Sequence, residues 1–70
     1  MSKFIERLEV EKQELEIKTH ALETFIDSNP VFETVSKFQR ALLITQCSSM
    51  QMYLFTLKER IDDLLPKSSN

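Results

Sequence analysis

Glycine is wholly absent from the 70 residues, and so is tryptophan. Without glycine the chain has no low-cost access to left-handed backbone, which removes phosphate-cradling loops of the Walker and dinucleotide-binding types and disfavours tight β-hairpins. Cys47 is the single cysteine, so no intrachain disulfide forms, and with His20 the single histidine no zinc-type ligand cluster is available. No nucleophile is paired with a base, so neither an enzyme nor a resident cofactor is expected. No apolar run is long enough to span a membrane. The opening MSKFIERLEVEK has neither the apolar stretch nor the small-residue cleavage site of a signal peptide, and together with the lone thiol this fits a reducing cytoplasm. A balance of 9 basic against 11 acidic side chains, net −2, argues against a broad basic surface for duplex DNA but leaves room for a small anion held by a few focused cations.

Proline is scarce too, and its two positions punctuate the chain: Asp27-Ser28-Asn29-Pro30 and Leu65-Pro66 are the only clear breaks. The rest is helix-forming. In the first segment Leu8, Leu15 and Leu22 recur every seven residues, with Phe4, Glu11, Lys18 and Phe25 as a second series at the same spacing. Ser2 is positioned to cap this helix, Glu14 and Lys18 to pair along it, and strong helix formers continue to about Ile26. After Asn29-Pro30 a short helical turn is expected, then a restart at Ser36 and a long helix to about Leu65. Its seam is read as Leu43, Met50, Leu57 and Leu64 flanked by Cys47, Leu54 and Ile61, and Pro66 ends it.

The expected fold is therefore all-α: an antiparallel two-helix hairpin over residues 1–66, followed by a flexible tail at 67–70. One hydrophobic core is marginal at this length. Ile5, Ile17, Ile26, Leu42, Ile44, Met52, Tyr53 and Phe55 are read as projecting away from the hairpin seam, and such surplus apolar surface most often marks an interface. A compact homo-oligomer is the expected way to cover it.

Glu11 and Lys18 are the most informative residues, because the periodicity assigns two charges to the inside of the seam. One reading makes them a register device in a coiled coil, with the lysine stem lying along the apolar surface. The other makes Lys18 the cation of a pocket at a subunit boundary, oriented by Glu11, with Phe4 and Arg7 supplying a stacking face and a second positive charge. Arg60 reads as part of an exposed charge run, or as an anion contact across a symmetry interface. Cys47 reads as a small buried thiol and His20 as a solvated side chain.

The pattern Arg7-x3-Glu11-x3-Leu15-x2-Lys18-x3-Leu22-x2-Phe25-Ile26, Asn29-Pro30-x-Phe32, and Leu42-Leu43-x2-Gln46-x3-Met50-x2-Tyr53-x3-Leu57-x2-Arg60-Ile61 resembles the helical-hairpin domain of phage anti-defence sponges. These comprise the anti-CBASS cyclic-oligonucleotide sponges and the related Thoeris anti-defence sponges, and the likeness runs from about Phe4 to Ile61. The chain has no counterpart of the additional domain of the Thoeris branch, so the anti-CBASS type is the closer resemblance. It implies a homohexamer in the cytoplasm of the infected bacterial host that sequesters cyclic dinucleotides such as 3′,3′-cyclic GMP-AMP without cleaving them. Phe4 and Lys18 are the implied pocket residues, with Thr19 beside them. The family's usual tyrosine stands here as Phe4, which keeps a stacking plane and lacks a hydroxyl. Arg60 resembles the arginine of a separate cyclic-trinucleotide site. A structural or adaptor coiled coil that binds a host protein is the alternative from another class.

Overall fold

The computed structural model describes residues 2–66, with side chains from Lys3 onward; the expected Ser2 cap and the tail at 67–70 lie outside the described residues. Helix α1 spans Ser2–Ser28 and helix α2 spans Lys37–Leu64, joined through a 3₁₀ turn at Pro30–Thr34. Each stop and start has a local cause. Asn29 is extended (φ −88°, ψ 120°), and its side-chain oxygen accepts the Val31 N–H at 2.9 Å ahead of Pro30, whose fixed φ suits a first helical position. Ser36 repeats the device for α2, its Oγ accepting the Gln39 N–H at 3.2 Å. Among the described residues none has a positive φ, so the reversal is made by a 3₁₀ turn between two extended residues rather than by a left-handed corner. Phe32 is buried under this turn and meets Phe25 edge to face, ring centroids 5.8 Å apart, which closes that end of the hairpin.

The helices run antiparallel. Lys58 Nζ lies 3.6 Å from a Glu16 carboxylate oxygen and Gln51 Nε2 donates to Glu23 Oε2 at 2.7 Å, so seven residues forward on α1 correspond to seven residues back on α2. Between the helices Leu8, Leu15, Leu57 and Ile61 form the core, with Met50 and Leu54 packed against it, and Leu57 has no exposed surface. The hairpin is long and thin, 51 × 22 × 17 Å. Its radius of gyration is 15.9 Å, against about 11 Å for a compact chain of this length.

The seam of α1 differs from the expected one. Its second series is Ile5, Lys12, Thr19 and Ile26, all at least partly buried, whereas Glu11 and Lys18 are exposed. Both series offer two apolar and two polar residues at seven-residue spacing, so apolar content does not choose between them. Packing does: Phe25 is drawn toward Phe32 at the turn, which leaves the residue after it, Ile26, on the α2 side. Ile5 and Ile26 accordingly belong to the seam rather than to an outer face. Leu64 is also corrected, because it is exposed. A straight helix drifts by about 20° per heptad, and the series from Leu43 has by then rotated out of the contact while that of Cys47, Leu54 and Ile61 has rotated in. Glu14 and Lys18 form no ion pair.

The buried Cys47 is inert rather than nucleophilic: burial, then the nearby Glu23 and Asp27 carboxylates, push its thiol above the usual range. Alkylation by iodoacetamide at pH 8 is expected to be about tenfold or more slower in the native protein than in denaturant, and equal rates would contradict this placement. Leu57→Ala is expected to cost about 2–5 kcal/mol by chemical denaturation, a loss several times that of Lys18→Ala in the same assay.

Candidate functional site

The two broad faces of the hairpin differ in how their charges are used. On one face stand the residues that follow seam positions: Glu16 and Glu23 after Leu15 and Leu22, and Gln51 and Lys58 after Met50 and Leu57. These polar groups are joined across the helices by the Glu16–Lys58 and Glu23–Gln51 contacts, and His20 Nδ1 lies 3.9 Å from Glu23, its side chain solvated as expected. A groove of about 400 Å³ runs between them, with Thr19, Leu54 and Phe55 in its lining. Glu16, Glu23, Gln51 and Lys58 thus each have a partner across the helices.

The residues that precede seam positions make up the other face, because successive residues turn by about 100° and antiparallel helices carry equivalent flanks to the same side. Glu11 and Lys18 precede Lys12 and Thr19, while Gln46, Tyr53 and Arg60 precede Cys47, Leu54 and Ile61. In the register set by Glu16–Lys58, Lys18 lies level with Thr56, between Tyr53 and Arg60. Among the described residues Arg7, Lys18 and Arg60 have no ion-pair partner, whereas Lys12, Arg40 and Lys58 are paired with Glu9, Glu33 and Glu16. Lys18 and Arg60 on this face, and Arg7 toward its end, stand among the likewise unpaired Glu11 and Glu14, so the face offers an anion a few focused cations rather than a uniformly positive surface.

Of the expected site residues the structure thus gathers Glu11, Lys18 and Arg60 on a common face. Arg7 stands about three turns nearer the start of α1 than Lys18, where it shares a groove of about 440 Å³ with Lys3, Glu6 and Val10. Phe4 is exposed near the same end. It precedes Lys18 by fourteen residues, about 21 Å along a helix, so the two cannot flank one nucleobase within a single chain. Thr19 is not with them. It is 3% exposed in the seam and its hydroxyl donates to the Leu15 carbonyl at 2.7 Å, the back-bond of a threonine inside a helix. Sequence reasoning placed Tyr53 outside the seam as interface surface; the structure stands it half-exposed on the Lys18 face, and its position one residue before Leu54 was the available signal.

Among the described residues no group of His, Cys, Asp and Glu is arranged to hold a metal ion. No described helix is long and apolar enough to cross a membrane. What the face offers chemically is recognition of charge, through Lys18 and Arg60, and of planar rings, through Tyr53. No curated protein and no solved structure matches the chain. One family model does, the sequestins, over residues 2–63. That span takes in both helices, the turn and every residue of the face just described, and on it the chain belongs to the sequestin family, whose name denotes holding a ligand rather than transforming it.

Proposed function

We propose that this sequestin is an anti-defence sponge that binds cyclic dinucleotide immune signals of the 3′,3′-cyclic GMP-AMP class and keeps them from CBASS effectors without cleaving them. The observation that carries the reading is the division of charge: one face of the hairpin pairs Glu16 with Lys58 and Glu23 with Gln51 across the helices, and the other holds Lys18 and Arg60 unpaired. Family membership supplies the sequestering role, and the resemblance of the Arg7-to-Ile61 pattern supplies the ligand class. A cyclic dinucleotide presents two bases and two phosphates, for which aromatic planes and at least two cations are the complementary chemistry.

The separation of Phe4 from Lys18 makes the site a shared one. Phe4 and Arg7 of one copy meet Lys18 and Glu11 of another, so the pocket forms as subunits assemble, and a homohexamer is the proposed assembly. Phe4 stacks on a base, Lys18 and Arg7 pair with phosphate oxygens, and Glu11 orients the lysine. Thr19 lies behind Lys18 and shapes the helix there through its back-bond rather than by direct contact. Arg60 is assigned to a separate cyclic-trinucleotide site. Sequestration then works by mass action, requiring affinity and copy number in place of chemistry.

Titration with 3′,3′-cyclic GMP-AMP is expected to raise the melting temperature, since ligand at about 100 times its Kd adds about 2.7 kcal/mol to stability. Ligand recovered after denaturation is expected to be intact; a linear or hydrolysed product would instead reveal an enzyme. Lys18→Ala is expected to weaken binding by about tenfold or more while leaving the sedimenting mass unchanged. If that variant lost its assembly and kept its affinity, the lysine would be a register device and the adaptor reading would gain. No melting shift with any cyclic oligonucleotide would remove the sponge reading.

A further inference from the structure

The side of α2 turned away from α1 carries a second seven-residue pattern that the hairpin leaves uncovered. Phe38, Thr45 and Met52 form one series, and Ala41, Ser48 and Phe55 the other. At about 100° per residue the stripe is centred nearly opposite the Cys47, Leu54 and Ile61 seam, with Phe55 at its edge, where it also borders the groove beside Lys58. Phe38 is 70% exposed, Met52 64% and Phe55 58%, which puts three of the most exposed large apolar side chains of the chain on this line. Between them the stripe is small: Ala41, Thr45 and Ser48.

We propose that this stripe is an antiparallel, two-fold interface between the α2 helices of two copies of the chain. The inference rests on the self-association in the functional reading above and names the surface that performs it. Size complementarity singles out the arrangement. A two-fold axis beside Gln46 and Cys47 sets Ala41 against Met52 of the second copy, so the longest side chain enters the smallest position. It sets Phe38 against Phe55 at both ends, where rings can pack edge to face, and Thr45 against Ser48 near the axis. Every contact occurs twice, as an isologous interface requires.

Charge favours the same direction. Lys37 at the start of α2 and Glu59 near its end have no partner among the described residues, and an antiparallel pairing brings each within a turn of the other across the interface. A parallel pairing would set Lys37 beside Lys37. Area is available as well. The chain exposes 5567 Å², against about 4,500 Å² for a compact monomer of its mass, and a standard interface removes about 800 Å² from each partner.

A charge exchange tests both the surface and its register. By sedimentation velocity the wild type is expected to exceed the single-chain mass of 8.2 kDa, and Ala41→Glu and Met52→Lys are each expected to lower that mass, by burying an unpaired charge in the interface. The double variant, in which the introduced carboxylate of one copy would face the introduced ammonium of the other, is expected to restore it. Single variants that keep the wild-type mass would overturn the interface, and a double variant that stays dissociated would overturn the antiparallel register. A wild type sedimenting as one chain would instead defeat self-association itself, while cyclic GMP-AMP binding by the wild type is read separately. The double variant decides whether or not a dissociated chain keeps its helical circular dichroism.

Discussion

Two helices touch along one line, and that geometric limit shapes everything else about this molecule. A hairpin covers only the stripe of each helix that faces its neighbour. Among the described residues it fully buries a single large side chain, Leu57, within a core of four residues. The remaining circumference of each helix stays in solvent, whatever the sequence places there. A chain of this kind has two options for its outer faces: make them polar throughout, or pass them to another molecule. One side takes the first option, and the second is what we propose for the others. The face bearing Glu16, Glu23, Gln51 and Lys58 is satisfied within the chain, while the Lys18 face and the outer stripe of α2 are left with unneutralised charge and bare apolar surface.

The boundaries of the fold were legible because each depends on a few adjacent residues. Asn29 before Pro30 and Ser36 before the long second helix act through side chain to backbone bonds at short range, and both perform as their residue types require. The antiparallel hairpin followed from the length of the helices and the brevity of their connection. Which residues flank the leucines of α1 was not legible. The series containing Lys18 and the series containing Thr19 are one residue apart and equal in apolar content, and a decision between them needs the partner helix and the Phe25–Phe32 contact at the turn, neither of which the periodicity of α1 reports. That single step moves Lys18 from a concealed position to an exposed one. What changes for Lys18 is therefore its physical setting: it stands exposed outside the seam rather than interrupting it.

The same step reassigns the polar content of the core. Lys12 and Thr19 interrupt the α1 seam instead of Glu11 and Lys18. Each is accommodated without a counter-ion from the other helix: Lys12 extends to Glu9 on its own helix at 3.5 Å, and Thr19 returns its hydroxyl to the Leu15 carbonyl. Neither residue links the helices to each other, so the direction and register of the hairpin rest on the leucines and on the Glu16–Lys58 and Glu23–Gln51 contacts. The proposed binding residues and the residues that set the register thereby lie on different faces. Substitution on one can proceed without disturbing the other.

The glycine-free turn bears on how quickly the molecule becomes usable. A chain without glycine has a less disordered unfolded ensemble to lose, and both caps at the turn are local devices that form as their own residues order. The Phe25–Phe32 contact spans only the connection, so the helices are brought together beside the turn at a small loop-closure cost before the Leu8–Ile61 end has to meet. Helical proteins dominated by local contacts fold within microseconds to milliseconds. If the chain assembles as proposed, time from synthesis to competence is set by the meeting of copies rather than by folding of each one, and the concentration of the chain becomes the controlling variable.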